Sequence, residues 1–213
     1  MKVGGIRKRK SELQLRLFDD ERALKTMGAA RNFVGEFFEE VAAAMFDVKR
    51  IKEDTSADIC PDLKVDDNAY LECKSIGNSG QGLIYVDRYK KDRKFCKEGN
   101  SIGYLFFKHK FEVAKARSLE QLREGLAVNL EHACLIESET LRKILRKRPL
   151  RKLNSKYMKK SGVRNGWGNY GRGWAFPYSE ILNECSIPMV CHLKWKPYGV
   201  ELKSVRLHKS TMD

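Results

Sequence analysis

Residues 58–74 read DICPDLKVDDNAYLECK, a pattern that predicts two short β-strands joined by a tight turn. Apolar residues alternate with polar ones in both halves, and residues 66–68 (Asp-Asp-Asn) supply the turn. Because successive strand side chains point to opposite faces, Asp62 falls on the polar face of the first strand. Glu72 and Lys74 share the polar face of the second strand. We therefore expect an Asp, a Glu and a Lys to converge across the hairpin, on the side away from the core.

This group of side chains suits phosphodiester chemistry. Asp62 and Glu72 offer hard oxygen ligands of the kind Mg²⁺ prefers. A bound Mg²⁺ polarises a phosphate oxygen and acidifies a bound water. Lys74 would lie beside that water and the developing negative charge. The alternative is an ordinary exposed hairpin whose charges are simply solvated.

The spacing of these residues resembles a known signature. Pro61-Asp62, nine intervening residues and then Glu72-Cys73-Lys74 resembles the PD-(D/E)xK motif of restriction-endonuclease-like nucleases. The resemblance covers about a third of the chain, residues 32–108. It implies that Asp62, Glu72 and Lys74 are catalytic, that the two acids bind Mg²⁺, and that Mn²⁺ can substitute. It also implies an α/β (α+β) fold with a central mixed β-sheet flanked by helices, in the order α-β-β-β-α-β.

A third acid is expected from the helix predicted at residues 32–46. Its opening, Gly35-x-x-Phe38-Glu39, resembles the Gly-x-x-Phe-Glu sequence common in the corresponding helix of these nucleases. Glu39 is therefore the expected third catalytic residue and metal ligand. Glu36 remains the alternative, since helical phase does not separate the two.

The remaining core elements follow in the expected order. Residues 83–86 predict a third strand, residues 87–97 a basic helix, and residues 101–108 a buried strand. Within the basic helix, Arg88 and Lys91 are candidate DNA contacts. Further along, the patterns predict a strand at 127–136, a helix at 139–147 capped by Ser138, and a closing hairpin at 187–195 and 200–207.

We divide the chain into three parts. Residues 1–31 are a basic arm and N-terminal helix, residues 32–125 the nuclease core, and residues 126–213 a basic, aromatic-rich DNA-binding extension packed on the core. There is no internal repeat and no clear linker.

The charge of the chain predicts a polyanionic partner. Lys and Arg number 42 against 28 Asp and Glu, a net charge of +14, which favours nucleic acid. Residues 140–179 contain twelve Lys and Arg and no acid. Aromatic residues interleaved with these cations could stack on bases; the alternative is a surface loop with its aromatics folded onto the core. The predicted DNA contacts in this segment are Arg164, Trp167, Tyr170, Arg172 and Trp174.

Three other features of the sequence bear on the cellular compartment of the protein. No apolar run is long enough to span a membrane, and the basic N-terminus lacks the apolar segment of a signal peptide. The six cysteines form no Cys-x-x-Cys pair. We expect free thiols in the cytoplasm of a bacterial, archaeal or phage-infected cell, and no membrane partner.

The function we expect is Mg²⁺-dependent endonuclease cleavage of double-stranded DNA. A sequence-specific, restriction-type homodimer is favoured, because the residues after the core could hold base-reading elements. A structure-selective Holliday-junction resolvase is the alternative within this class. A non-catalytic nucleic-acid-binding module is the alternative of a different class.

Overall fold

The computed structural model describes residues 27–51, 61–152, 172–185, 187–196 and 199–207. The helices are α1 (Met27–Phe46), α2 (Val86–Lys97), α3 (Leu119–Val128), α4 (Ser138–Arg146) and α5 (Tyr178–Asn183), with a 3₁₀ turn at Val113–Lys115. The strands are β1 (Leu63–Asp66), β2 (Ala69–Ile76), β3 (Gln81–Tyr85), β4 (Ser101–His109), β5 (Leu130–Glu137), β6 (Arg151–Lys152), β7 (Arg172–Pro177), β8 (Ile187–Lys196) and β9 (Gly199–Leu207). The predicted N-terminal arm, residues 58–60 and most of the basic aromatic segment lie outside the described residues.

A six-stranded mixed sheet forms the centre of the fold, in the order β1-β2-β4-β5-β8-β9. The β2–β4 pair is parallel and the other neighbouring pairs are antiparallel. Parallel neighbours need a crossover connection, and residues 77–100, which include β3 and α2, provide it. The coarse prediction of an α/β fold with a helix-flanked central mixed sheet is confirmed.

The alternating sequence of β4 shows why both faces of this sheet are covered. Leu105 and Phe107 are fully buried in a cluster with residues of α1 and α3. Tyr104 and Phe106 point the other way and are buried with residues of α4 and β7. Full burial of one such side chain contributes about 1.5–3 kcal/mol. The middle of the strand, residues 102–107, is therefore apolar because it has no solvent face.

The predicted third strand forms, but not in the central sheet. It spans Gln81–Tyr85 and belongs to a separate three-stranded sheet in the order β3-β7-β6. Gly82 faces Phe176 of β7, which is fully buried. Strand β2 instead pairs directly with β4, and a single antiparallel bridge from Arg50 to Leu63 extends the sheet beyond β1. The prediction that β3 follows β2 within one core sheet was wrong, because its partner β7 lies far along the chain.

The region after β4 contains a helix that the sequence analysis omitted. Helix α3 begins after Ser118, whose hydroxyl accepts a hydrogen bond from the Gln121 amide at 3.1 Å. It extends to Val128, so the strand predicted from residue 127 begins at Leu130. Ser138, predicted as a cap, is the first residue of α4 and is preceded by Glu137 at the N-cap.

The C-terminal hairpin is confirmed as β8 and β9. Together with β5 it supplies three of the six strands of the central sheet. The residues after 125 therefore complete the sheet as well as packing on it.

Two further predictions concern cysteines and membranes. Cys73, Cys96, Cys134 and Cys185 are thiols rather than members of disulfide bonds, as expected. Across the described ranges, none of the helices combines the length and apolarity required to cross a bilayer.

Candidate active site

The two acids of the hairpin are brought opposite each other by strand register. Leu63 pairs with Leu71 in the antiparallel β1–β2 ladder, which places Asp62 across from Glu72. The backbone carbonyl of Asp62 accepts a hydrogen bond from the Ile51 amide at 3.1 Å. Its side-chain Oδ2 accepts one from the Cys73 amide at 2.7 Å. The Asp62 carboxylate is thus fixed against the strand that carries Glu72.

Glu72 is held by two cations. Its Oε1 accepts a hydrogen bond from Lys74 Nζ, and its Oε2 accepts one from Arg88 Nη2. The residue is only 2% exposed, so these charge-assisted contacts compensate a carboxylate that water barely reaches. The structure therefore brings Asp62, Glu72 and Lys74 together, as the sequence analysis expected.

The sheet face on which these residues lie differs from the predicted one. Glu72 and Lys74 lie opposite Tyr104 and Phe106 of β4, on the sheet face that carries the second apolar cluster. This face is covered by the β2–β4 crossover, because a crossover packs back onto the sheet it connects. The expectation of a polar face pointing away from the core was wrong.

The structure separates the two candidate helix acids. Glu39 is 5% exposed, whereas Glu36 is half-buried. Glu39 Oε2 accepts a hydrogen bond from Arg50 Nη2 at 2.5 Å. The negative charge of Glu39 also contributes to the raised pKa of Asp62. Glu39 is therefore the helix acid that interacts with the hairpin, and Arg50 is a partner that the sequence analysis missed.

Burial and charge shift the titration of the central groups. Burial first, and then repulsion from Glu72 and Glu39, raise the pKa of Asp62 to about 7, although Lys74 and the Cys73 amide oppose the shift. Burial would lower the pKa of Lys74, but the carboxylates of Glu72 and Asp62 outweigh it, and the pKa is raised. Lys74 is thus held in its charged form.

The carboxylates of the site form a partial ligand set for a divalent cation. No group of three or more His, Cys, Asp or Glu side chains within the described residues is placed to hold a metal ion, so the predicted set of Asp62, Glu72 and Glu39 is not assembled as a cage. Mg²⁺ commonly takes only one or two carboxylates and keeps several waters. Asp62 Oδ1 makes no hydrogen bond or ion pair within the same described ranges. Two facing carboxylates that repel each other fit a cation of this kind.

A second buried network adjoins Glu72. Arg88 Nε lies 3.1 Å from Asp92 Oδ1, and Asp92 Oδ2 accepts a hydrogen bond from the Tyr104 hydroxyl at 2.6 Å. Burial and the charge of Glu72 raise the pKa of Asp92, while Arg88 opposes the shift. Asp92 and Tyr104 were missed by the sequence analysis. The available signal was an acid four residues after Arg88 in a helix rich in Lys and Arg.

The predicted DNA contacts are only partly described. Arg88 lies against Glu72, Lys91 is half-buried on α2, and Arg172 is exposed at the start of β7. Trp174 packs edge-on against Tyr89, with ring centroids 5.3 Å apart. Arg164, Trp167 and Tyr170 fall outside the described residues.

Two aromatic residues of the basic segment, residues 140–179, pack in the core instead of offering the base-stacking faces that the sequence favoured. Phe176 and Tyr178 are buried in the second apolar cluster. They hold β7 and α5 against the sheet and present no free stacking face.

Comparison with known proteins adds no relative: no family model, curated protein or solved structure matches this chain.

Proposed function

We propose that this protein is a Mg²⁺-dependent endonuclease that hydrolyses phosphodiester bonds of double-stranded DNA, with sequence-specific, restriction-type cleavage as the favoured form. The observation that carries the proposal is the placement of Asp62 opposite Glu72, with Lys74 on the Glu72 carboxylate. The PD-(D/E)xK spacing of the same residues supports it.

Each residue has a distinct role in this proposal. Asp62 and Glu72 would hold Mg²⁺, or Mn²⁺ in its place, with Glu39 adding negative charge from α1. When bound, the cation would supply a polarised phosphate oxygen and an acidified water. Lys74, held in its charged form, would stabilise the developing charge. Proton transfer by a neutral lysine is the alternative role that the sequence leaves open. The Cys73 amide keeps the Asp62 carboxylate in position.

A surface on the same side of the sheet supports a polyanionic partner. We define the helical basic face as seven exposed cations of α2 and the α4 region: Lys90, Arg93, Lys94, Lys97, Lys143, Arg146 and Lys147. No carboxylate pairs with any of them in the part of the chain that the structure describes. Unpaired cations in two adjoining helices suit phosphate backbone contacts. DNA bound along this face would run over the side of the sheet that holds Glu72.

A non-catalytic nucleic-acid-binding module is the second candidate. The observation that favours it is the compensation of Glu72 by Lys74 and Arg88, which pairs both oxygens of this carboxylate with side-chain cations. In that case binding to DNA would need no divalent cation.

One assay distinguishes these functions. The protein is incubated with supercoiled plasmid, a four-way junction and single-stranded DNA, each with Mg²⁺ and with a chelator. Restriction-type activity predicts discrete plasmid fragments that require Mg²⁺, and a resolvase predicts preferential cutting of the junction. Retention of all three DNAs without cleavage in either condition supports the binding module and contradicts the nuclease proposal. Sedimentation of the cleaving species would show whether it is the proposed homodimer.

A further inference from the structure

Each of the two side-chain oxygens of Glu72 already accepts a hydrogen bond. The two donors differ in whether they are also paired with a second acid. Lys74 binds Oε1 and Arg88 binds Oε2. With a side chain 3% exposed, Glu72 has little room for an additional ligand. A cation that binds this carboxylate must therefore displace one of the two groups already there.

Arg88 has a second anionic partner. Its Nε lies 3.1 Å from Asp92 Oδ1, one helical turn further along α2. Asp92 is 5% exposed and is fixed by the Tyr104 hydroxyl at 2.6 Å. Tyr104 is also the register partner of Glu72 in the neighbouring strand. The network therefore passes from β2 through α2 and returns to the sheet.

The second ion pair of Arg88 decides which of the two cations can leave Glu72. If Arg88 released Glu72, its guanidinium would still be paired with Asp92. If Lys74 released Glu72, it would lose its only hydrogen-bonded partner among the described residues and keep only the electrostatic attraction of Asp62. A partly buried ammonium without a hydrogen-bonded partner is costly. Like charges also favour departure, since a divalent cation at Glu72 would repel both groups.

We propose that Arg88 is an internal competitor of the divalent cation: it occupies Glu72 in the metal-free protein, and Asp92 retains its guanidinium when the cation takes that carboxylate. Asp92 and Tyr104 are positioning residues in this exchange. The released guanidinium remains beside the site and is available to bind a phosphate oxygen, for which its planar fork of donors is well suited. The inference rests on the proposed function, because it requires that Glu72 bind a divalent cation.

Binding of Mn²⁺, measured by electron paramagnetic resonance without DNA, tests the exchange. Arg88→Gln removes the competitor, so Mn²⁺ should bind about tenfold more tightly than to the wild type. Arg88→Lys keeps a positive charge near Glu72 and should stay within about threefold of the wild type. Asp92→Asn removes the alternative partner of Arg88 and should weaken Mn²⁺ binding. Circular dichroism checks that each variant is folded.

The matched control is Arg142→Gln, which breaks an Arg–Glu pair of 2.9 Å at the surface of α4 and should leave Mn²⁺ affinity unchanged. Folded Arg88→Gln protein that binds Mn²⁺ no more tightly than the wild type would overturn the exchange alone. If the wild type bound Mn²⁺ no more tightly than Glu72→Gln does, the proposed metal site would be overturned as well. In DNA cleavage, Arg88→Gln should lower the single-turnover rate despite its tighter metal binding, a combination that a purely structural role does not produce.

Discussion

At the residue scale, the function of Lys74 is the most accessible to mutation. Its ammonium is hydrogen-bonded to Glu72, and the surrounding carboxylates raise its pKa. A lysine held in its charged form is better suited to electrostatic stabilisation than to general-base catalysis. The structure therefore favours one of the roles that the sequence left open.

Substitution of Lys74 separates those roles. We expect Lys74→Ala to lose several orders of magnitude in single-turnover cleavage rate while DNA binding is retained. Lys74→Arg should recover part of the rate, because an electrostatic role tolerates another cation. A Lys74→Arg protein as inactive as Lys74→Ala would instead indicate proton transfer by the lysine.

Asp62 gives a prediction about pH. Its pKa is about 7 in the folded protein against 3.8 ordinarily, so the folded state binds more protons between these values and stability from this group falls as pH rises. Asp62→Asn should remove that loss and be more stable than wild type at pH 8 by about 1–2 kcal/mol, after allowance for solvent screening. Urea unfolding at pH 4 and pH 8 measures the difference. The control Asp67→Asn, in the exposed turn of the same hairpin, retains Asp62 and should therefore follow the stability of the wild type at both pH values.

The hairpin illustrates what sequence can predict about single residues. Period-two alternation and the Asp-Asp-Asn turn were enough to place Asp62, Glu72 and Lys74 together. The contacts of Glu72 with Arg88, and of Glu39 with Arg50, were not predictable, because each joins residues 11 or 16 positions apart through tertiary packing. Alternation also could not reveal that the polar face is covered.

At the element scale, local sequence patterns predicted the positions of strands and helices better than they predicted which strands pair with each other. Strand β4 and the β8–β9 hairpin were located because their apolar residues and turns lie close together in sequence. Strand β3 was located but assigned to the wrong sheet, since β7 pairs with it from about ninety residues away. Helix α3 was missed even though Ser118 and the spacing of Leu119, Leu122 and Leu126 are helix signals.

The contact between β3 and β7 can be tested with a glycine. A Cβ built at Gly82 would lie 2.2 Å from a ring carbon of the fully buried Phe176. Gly82→Ala should therefore destabilise the protein by about 1–3 kcal/mol. Gly35→Ala adds a Cβ in α1 that, apart from its chain neighbours and the backbone of its own helix, meets no described atom within 4 Å, and it should stabilise the protein by about 0.5–1 kcal/mol. Chemical denaturation compares the two, and equal effects would argue against the β3–β7 packing.

At the scale of the whole molecule, the helical basic face belongs to one side of the central sheet. The helical basic face lies on the side of α2 and α4, whereas α1 and α3 cover the other side. The net charge of +14 predicts a polyanionic partner without indicating where it binds. The structure adds that α2 and α4 pack against the same apolar cluster and carry these exposed cations.

Salt dependence tests that surface. Neutralising each phosphate contributes about −0.9 to the slope of log K against log salt. We expect the triple change Lys94→Gln, Lys97→Gln and Lys143→Gln to reduce the slope of DNA binding by about 2–3. The control removes three exposed cations elsewhere, Lys49→Gln, Lys110→Gln and Lys115→Gln, and should alter the slope by less than about 1. Equal effects would mean that DNA binding does not depend on the helical basic face.

The central claim is that the facing carboxylates of Asp62 and Glu72 form the site of metal-dependent cleavage. Its most direct test is the Mg²⁺-dependent rate of plasmid cleavage by wild type, Glu72→Gln and Asp67→Asn proteins, each checked for folding and DNA binding. Each variant loses one carboxylate of the hairpin, but only Glu72 lies in the site. We predict that Glu72→Gln binds DNA without cutting it and that Asp67→Asn cuts at the wild-type rate. Wild-type cleavage by folded Glu72→Gln protein would contradict the claim.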